Sequence, residues 1–390
     1  MDRKDNGEMI YLDNAATTRT APEVVEAMLP YFTEYYGNAG SIYGLGSESK
    51  KALLGARETI AGTLGAETNE IYFTAGGSES DNWALKAVFE AWQDKGRHII
   101  TSKIEHHAVL HTCEYLEKMG AQITYLDVDA EGSVDLLQLE RAIRSDTVLI
   151  SVMAANNEVG TIQPVKEIGE IAAAHGILFH TDAVQAYGHL PIDVKECHID
   201  FLSASAHKFN GPKGVGFLYI GQKARIRSLI HGGQQERGRR AGTENVPGIV
   251  GMAAAARRAY ENPEERAKKE RLLRDYLIGR IEELVPDVTL NGHRTRRLPN
   301  NVNFSFAGME GETILIMLDM AGICASAGSA CTSGATDPSH VLLAMGLSKE
   351  QARGSVRFSL SEENTIAELD LVAEELARIV ERVRGLMKIC

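Results

Sequence analysis

Short apolar runs alternate with longer amphipathic stretches over most of the chain, which is typical of parallel strands joined by crossover helices. Several runs are continuously apolar, as expected for strands covered by helices on both faces. Periodic apolar positions between them predict helices such as Val165–His175, which follows Pro164 and ends before Gly176. The predicted strands are Glu70–Ala75, His98–Ser102, Gln122–Leu126, Val148–Ala154, Ile177–Asp182, Phe201–Ser205 and Gly216–Ile220.

The pattern changes near Glu261, where a highly charged stretch predicts one long helix over Pro263–Leu284. Helical segments then alternate with three short apolar runs, and a final amphipathic helix is predicted over Ile366–Leu386. The three runs are predicted as strands over Asn301–Phe306, Thr313–Leu318 and Ser355–Ser359. This order predicts an α/β protein with a large domain and a smaller α+β domain. The predicted bounds are residues 15–260 for the large domain, and residues 1–14 with 261–390 for the small domain.

Charge and cysteine content narrow the function classes. The 390 residues include 41 Lys and Arg against 53 Asp and Glu, a net charge of −12, which disfavours nucleic acid as the main partner. No apolar run reaches the roughly 18 residues that span a bilayer, and the polar first nine residues argue against export. The five cysteines are an odd, scattered set without a CxxC pair. We therefore expect neither a disulfide framework nor a zinc ribbon, and we expect a cytoplasmic location.

The sequence gives little support for a nucleotide-binding phosphate loop or for a histidine metal site. The chain has no Gly-Lys dipeptide and therefore no Walker A phosphate loop. His107 and His111 are spaced to share one side of a helix, as two metal ligands would. No third ligand has convincing spacing nearby, so two histidines at a helix rim are the favoured interpretation.

The most informative segment is Gly176–Ile220, in which two buried strands each end in polar residues. One ends at Asp182, with Gln185 three residues later, and the other leads into Lys208. Ligands of open α/β sheets bind at the carboxyl ends of strands. Pyridoxal phosphate needs a lysine for a Schiff base and an acid for its ring nitrogen, so Lys208 and Asp182 fit it. Gln185 could bond the ring hydroxyl; a structural ion pair is the alternative.

A phosphate site and a stacking residue are also predicted. The run Ile71–Asn82 passes from a strand through Gly76-Gly77 to a helix, and helix N-termini bind phosphate. Ser78 could cap this helix and add a hydroxyl. His106 follows the strand His98–Ser102 and could stack on the pyridine ring and exchange protons. An ordinary turn and an ordinary loop histidine are the alternatives.

Cys331 lies in the run CASAGSACTSGAT, which has no bulky side chain. We expect this loop to be mobile and exposed. A thiol in such a loop is an oxidation liability, and a structural cysteine remains one interpretation. Beside a pyridoxal phosphate site, however, a mobile thiol could collect sulfur from a bound substrate and carry it outward.

These residues lie in motifs that resemble the NifS/IscS-type cysteine desulfurases of the class V aminotransferase family. The resemblance runs from Tyr11 to the last helix. The matching motifs are FTAGGSESDN, MAANNEVGTIQP, HTDAVQ, SASAHKFNGPKGVG, ERGRRAGTEN, ASAGSACTSG and VRFSLSEENT. It implies the fold type I of pyridoxal-phosphate-dependent transferases, with a mostly parallel seven-stranded sheet between helices in the large domain. It also implies the group I variant with a long loop around Cys331.

The resemblance implies a role for each matching position. Lys208 would bind the cofactor, His106 would stack on its ring, and Cys331 would be the nucleophile that becomes a persulfide. Arg357 and Asn157 would contact the substrate, and Arg357 would pair with its carboxylate. Thr243 would reach the phosphate in the partner subunit of a homodimer. The implied cofactor ligands are Gly77, Ser78, His106, Asn157, Asp182, Gln185, Ser205, His207, Lys208 and Thr243.

The implied activity is removal of sulfur from L-cysteine, which gives L-alanine and a Cys331 persulfide for an iron–sulfur scaffold or another acceptor. No resident metal is expected, although Cys331 could contact an iron–sulfur cluster transiently. A selenocysteine lyase, a class V aminotransferase and a catalytically idle binding protein are the alternatives. Ala39 and Tyr43 depart from the family pattern, which has Pro and His there. The chain also ends soon after Leu386, without the longer tail of housekeeping IscS proteins, so the resemblance does not identify the acceptor.

Overall fold

A computed structural model describes residues 9–327 and 337–387 of the chain. Its strands are β1 Ile10–Tyr11, β2 Ile71–Thr74, β3 His98–Ser102, β4 Gln122–Leu126, β5 Thr147–Ser151, β6 Leu178–Asp182, β7 Phe201–Ser205, β8 Gly216–Ile220, β9 Val288–Leu290, β10 Asn301–Phe306, β11 Ile323–Cys324 and β12 Ser355–Ser359.

The helices enclose the strands on several sides. They are α1 Pro22–Met28, α2 Pro30–Thr33, α3 Gly44–Leu64, α4 Gly77–Ala91, α5 His107–Lys118, α6 Leu136–Ala142, α7 Val165–His175, α8 Val246–Glu261, α9 Pro263–Leu284, α10 Gly311–Met320, α11 His340–Ala344, α12 Lys349–Arg353 and α13 Ile366–Met387. Within residues 9–327 and 337–387, no helix is long and apolar enough to cross a membrane.

The main sheet has seven strands in the order β2-β8-β7-β6-β5-β3-β4. The pairs within β7-β6-β5-β3-β4 are parallel, whereas β8 runs antiparallel to β2 and β7. The predicted α/β class with a mostly parallel seven-stranded sheet is therefore confirmed. Because β6 and β7 are parallel neighbours, their carboxyl ends lie side by side, with Asp182 paired to Ser203 in register.

Both faces of the sheet are covered, which explains its continuously apolar strands. One core contains Leu53 and Ile60 of α3 and Met252 of α8, packed with sheet residues such as Phe179. The other contains Trp83 of α4 and Val109 of α5. Helices on both faces therefore hold the sheet in place, together with the residues that follow its strands.

A separate core lies around a three-stranded antiparallel sheet with the order β12-β10-β9. It contains Leu277 of α9, Phe304 of β10 and Leu376 of α13. The beginning of the chain joins this core through Leu12, and β1 pairs in parallel with β11. Both ends of the described chain therefore meet in the second core.

Most strands lie within three residues of their predicted bounds, but the prediction of a strand over Thr313–Leu318 is wrong. This segment belongs to the helix α10. Ile314 and Leu318 are fully buried and four residues apart, whereas Ile316 between them is 57% exposed. The burial therefore has the helical period, which a short apolar run does not reveal by itself.

Candidate active site

A cavity of about 250 Å³ lies at the carboxyl ends of β6 and β7. It contains most of the side chains predicted as site residues, brought together from distant parts of the chain. These lining residues are Gly77, Ser78, His106, Asn157, Asp182, Gln185, Ser205, His207, Lys208 and Arg357. Thr243 is exposed and is absent from the described lining of this cavity. Cys331 lies outside the described residues.

Lys208 enters the cavity from a single turn of 3-10 helix, Ala206–Lys208, that follows β7 directly. Its Nζ donates hydrogen bonds to the carbonyl oxygens of Ala15 at 2.6 Å and Ala16 at 2.8 Å. Gln185 Nε2 donates to the same Ala15 oxygen at 2.9 Å. The segment at Ala15 therefore forms a wall of the cavity and contacts both side chains.

Asp182 is the last residue of β6, and its side chain is almost completely buried. Its Oδ1 accepts a hydrogen bond from the Val184 amide at 2.9 Å. Burial, assisted by the nearby Asp81 carboxyl, raises the pKa of Asp182 to about 7, although Lys208 and His180 oppose the rise. A cationic group in the cavity would compensate this buried carboxylate and lower its pKa.

The helix α4 begins at the cavity, and its N-terminal amides are available to an anion. The N-cap is Gly76, so the prediction that Ser78 caps this helix is wrong. Gly76 has φ 151°, a conformation that favours glycine. Ser78 lies in the first turn. A Cβ on Gly77 would lie 2.5 Å from Val184 Cγ2, so only glycine fits there without movement of Val184.

His106 is the N-cap of α5, and its Nδ1 accepts a hydrogen bond from the Ala108 amide at 3.1 Å. The ring proton of the neutral imidazole is therefore on Nε2. Burial, together with the charge of Lys208, lowers the pKa of His106 to about 4. His106 is consequently neutral near pH 7, with one nitrogen fixed and the other able to donate.

His207 and Ser205 lie on either side of Ala206 at the end of β7. His207 Nδ1 lies 3.1 Å from Thr17 Oγ1, and its carbonyl oxygen accepts from the Thr18 amide at 2.8 Å. Burial and the charge of Lys208 lower the pKa of His207 to about 4. Both side chains can therefore act as uncharged hydrogen-bonding groups near the α4 N-terminus.

Arg357 lies on β12 and is only 2% exposed. Its Nη1 donates to the Asn157 carbonyl oxygen at 2.7 Å, and its Nη2 donates to Asp13 Oδ1 at 2.9 Å. The Asn157 turn is itself held by Asn156, whose Oδ1 accepts from the Glu158 amide at 2.8 Å. The guanidinium is thus held from two directions at the wall of the cavity.

Asp81 is a lining residue that the sequence patterns do not single out. It is 1% exposed, and its Oδ1 has no hydrogen-bond partner among the described residues. Burial raises the pKa of Asp81 to about 7, although a hydrogen bond with Ser203 opposes the rise. Its position four residues after Gly77 on α4 is a usable signal, because residues at this spacing share one helix face.

The ends of the segment that contains Cys331 are attached close to the site. Before it, Ser326 and Arg357 exchange backbone hydrogen bonds of 2.6 and 3.1 Å. After it, Ser339 Oγ donates to Glu158 Oε2 at 2.5 Å, and His340 Nε2 donates to the Glu105 carbonyl oxygen at 3.0 Å. Both attachments are to residues next to, or part of, the cavity lining.

The histidine pair of α5 lies beside this attachment. The rings of His107 and His111 stack with centroids 4.8 Å apart, and His340 packs on His107 at 4.7 Å. In the described part of the chain, no group of His, Cys, Asp and Glu side chains is arranged to hold a metal ion. Burial and the neighbouring imidazoles lower the pKa of His107 and favour its neutral form.

The cavity residues fit pyridoxal phosphate. Asp182 provides a buried carboxylate for a protonated ring nitrogen, and Lys208 provides the amine for a Schiff base. Gly77 leaves space at a helix N-terminus, where a phosphate can approach backbone amides. A carboxylate, an amine and an anion site within one cavity of this size match the three functional ends of that cofactor.

The fold and the cavity define a pyridoxal-phosphate-dependent enzyme of fold type I. The Aminotransferase class-V family model matches residues 10–372, and the chain belongs to this family. "Cysteine desulfurase IscS" of Clostridium botulinum (strain Hall) is 56% identical over 97% of this chain and 96% of that protein. "Cysteine desulfurase IscS" of Methanosarcina thermophila is 56% identical over 97% and 93%. A solved structure named "NIFS-LIKE PROTEIN" superposes with a TM-score of 0.91 at 42% identity, over 96% of this chain and 100% of that chain.

Proposed function

We propose that the protein is a cysteine desulfurase that uses pyridoxal phosphate to convert L-cysteine to L-alanine, with the sulfur retained as a persulfide on Cys331. The observation that carries the proposal is the meeting of Lys208, Asp182 and Arg357 in one cavity. Relatives that are 56% identical and bear the name cysteine desulfurase support the choice of substrate.

Each end of the cofactor would have its own partner. Lys208 would bind its aldehyde, Asp182 its ring nitrogen, and Gln185 and Asn157 its ring hydroxyl. The phosphate would contact the start of α4 at Gly77 and Ser78, together with Ser205 and His207. When bound, the cofactor supplies an electron-withdrawing ring next to the substrate α-carbon.

The protein residues would hold the substrate and move its protons. Arg357 would pair with the substrate carboxylate through its guanidinium fork. Lys208 Nζ would take the α-proton, because its amine could act as a base once the substrate amine has replaced it. His106 would stack on the ring and would offer the proton on Nε2, since its Nδ1 is engaged by the Ala108 amide.

Cys331 would accept the sulfur. Its thiolate attacks the substrate sulfur, an S–S bond forms, and the C–S bond of the substrate breaks, so that alanine leaves after protonation. Cys331 lies outside the described residues, but Ser326, five residues earlier in the sequence, exchanges backbone hydrogen bonds with Arg357. The start of the segment that leads to Cys331 is therefore tethered beside the proposed substrate-carboxylate site, which supports this role.

The active unit would be a homodimer in which Thr243 contacts the phosphate in the partner subunit. Two features support this proposal. Thr243 is exposed and lies outside the described lining of its own cavity. An N-terminal surface also exposes large apolar side chains, namely Leu29 at 56%, Phe32 at 58%, Tyr36 at 69% and Ile42 at 101%. A second copy is a suitable cover for such a surface.

We also propose the division into a large domain of residues 15–260 and a small domain of residues 1–14 and 261–390. The second core supports it, because Ile10 and Leu12 pack there with residues beyond 272. The acceptor of the persulfide would be an iron–sulfur scaffold or another sulfur-carrying protein. The scattered cysteines, which are odd in number and include no CxxC pair, support a cytoplasmic location, where thiols remain reduced.

The test is to supply L-cysteine to the loaded enzyme and to measure alanine and sulfide. We expect equal amounts of both in the presence of a thiol reductant, and a persulfide on Cys331 by mass spectrometry when the reductant is omitted. Cys331→Ala should lose the persulfide and nearly all turnover. Equal turnover by this variant, a keto acid product, or a strong preference for selenocysteine would each contradict the proposal.

A further inference from the structure

Lys208 is held through its backbone by a cluster outside the cavity. His189 Nε2 lies 3.3 Å from the Lys208 carbonyl oxygen. A carbonyl oxygen only accepts, so Nε2 is the donor in this contact. His189 follows the short turn after β6, and its side chain is only 7% exposed. This contact joins the segment after Asp182 to the lysine itself.

The turn that contains His189 is fixed on both sides. Tyr260 of α8 accepts a hydrogen bond from the Gly188 amide and donates to the Leu190 carbonyl oxygen, each at 3.1 Å. A Cβ on Gly188 would lie 2.5 Å from Phe209 Cβ, so this backbone approaches the residue after Lys208 closely. Gly188 also has φ 85°, which favours glycine. The backbone that carries the His189 imidazole is therefore rigid.

The other ring nitrogen of His189 contacts α9. His189 Nδ1 lies 3.5 Å from Glu270 Oε2 and 3.5 Å from Arg266 Nη2. Glu270 is 2% exposed. Burial by itself would raise the pKa of Glu270, but its contacts with His189 and Arg266 outweigh burial and lower it. A neutral ring can accept from Arg266 and a protonated ring can donate to Glu270, so Nε2 keeps its proton in both states.

We propose that His189 is a positioning residue for Lys208, oriented by Glu270 and Arg266 of α9. This inference rests on the proposed function of Lys208. A lysine that binds a cofactor and then moves a proton needs a fixed backbone, so that only its side chain changes position. Because α9 belongs to the proposed small domain, the contact also links that domain to the lysine.

Three variants test the inference. His189→Leu keeps side-chain bulk but removes the donor, whereas His189→Gln keeps an amide donor close to the position of Nε2. Glu270→Gln keeps the shape of its side chain and removes the charge that orients the ring. His175→Leu, at the exposed end of α7, is the matched control.

The first readout needs neither cofactor nor turnover. Amide hydrogen exchange is measured on peptides that cover residues 206–211. We expect exchange to be roughly threefold to tenfold faster in His189→Leu, as for the loss of one net hydrogen bond, and unchanged in His189→Gln and His175→Leu. Equal exchange in His189→Leu and the parent would overturn the inference.

The second readout uses the holoenzyme with pyridoxal phosphate. We expect His189→Leu to shift the visible absorption band of the Lys208 Schiff base and to lower kcat about tenfold, with KM for L-cysteine within about twofold. Glu270→Gln should give a smaller change in the same direction, and His189→Gln should restore both values. A glutamine variant as impaired as the leucine variant would contradict the inference. If the parent produces no alanine from cysteine, the proposed function fails, while the exchange result still decides the role of His189.

Discussion

Arg357 Nη2 donates a 2.9 Å hydrogen bond to Asp13 Oδ1, which joins residues 344 positions apart in sequence. Asp13 lies in the first described segment of the chain, and Arg357 lies on β12 of the second core. The guanidinium also donates to the Asn157 carbonyl oxygen of the turn after β5. The proposed substrate-carboxylate site is therefore assembled from three distant parts of the chain.

This geometry makes Arg357→Lys an informative substitution. Lysine keeps the charge but cannot make two fixed contacts while it presents a planar fork to a carboxylate. We expect KM for L-cysteine to rise about tenfold or more, with a smaller change in kcat and an unchanged absorption spectrum of the bound cofactor. Steady-state kinetics measure this. Arg353→Lys, on the exposed side of α12, is the control, and an unchanged KM in Arg357→Lys would contradict the assigned role.

Gly77 allows a second test, on cofactor binding. In Gly77→Ala the new Cβ would lie 2.5 Å from Val184 Cγ2, so either Val184 or the start of α4 must shift. We expect affinity for pyridoxal phosphate to fall about tenfold, and Val184→Ala in the same chain to restore much of it, because the two changes share one contact. Titration of the apoenzyme, followed by absorbance, measures both values. Gly55→Ala, where a Cβ meets open space, should leave the affinity unchanged.

Glu105 predicts a pH dependence of stability. It is fully buried, and burial raises its pKa to about 8, although bonds from Ser102 and the Met153 amide oppose the rise. Between its unfolded pKa near 4.3 and its folded pKa, the native state binds one more proton than the unfolded state. The free energy of unfolding therefore decreases as pH rises through this range, by up to about 1.4 kcal/mol per pH unit.

Glu105→Gln should remove the contribution of Glu105 to this dependence, whereas Asp81 and Asp182, whose pKa values are raised to about 7, retain theirs. Buried histidines such as His106 and His180, whose pKa values are lowered to about 4, act in the opposite direction but only below about pH 6.5. The comparison is therefore made by urea denaturation between pH 6.5 and 8 at fixed cofactor loading. We expect a shallower decrease in Glu105→Gln and no difference in the exposed control Glu170→Gln. Equal slopes for parent and Glu105→Gln would contradict the raised pKa.

The ion pair between Arg57 and Glu236 predicts a large stability effect. Its two contacts are 2.6 and 2.8 Å, and the side chains are 10% and 3% exposed. Glu236→Ala would leave a buried, uncompensated guanidinium and should lower the free energy of unfolding by about 3–5 kcal/mol. Lys103→Gln, which breaks an exposed pair with Asp127, should cost less than about 1 kcal/mol. Similar losses in the two variants would refute this difference.

Residues with regular spacing could be predicted from the sequence. The bounds of β3, β4, β7 and β8 match their predictions, because a short apolar run bounded by turn residues favours a strand of that length. The residues at the ends of β6 and β7 were predictable for the same reason, since parallel neighbours end at one edge. The helix α10 could not be predicted, because its short apolar run is compatible with both a strand and a helix. Only the burial of its side chains in the second core distinguishes the two.

Contacts between distant segments could not be predicted in this way. Asp13 lies within the stretch covered by the family resemblance, which begins at Tyr11, but no spacing relates it to Arg357. The Ala15 carbonyl that accepts from Lys208 belongs to an alanine, which carries no chemical signal of its own. Ser78 is a suitable N-cap by residue type, yet Gly76 is the N-cap and the helix begins two residues earlier than a Ser78 cap would place it. Gly76 also packs closely on Gly216, where an added Cβ would lie 2.8 Å from Gly76 Cα.

The backbone bridge between Ser326 and Arg357 has a mechanical consequence. One residue of β12 anchors the proposed carboxylate site and also fixes the start of the segment that leads to Cys331. A substitution that moved this strand would displace both together. The carboxylate site and the start of this segment therefore behave as one rigid lever, in which neither part can be shifted alone.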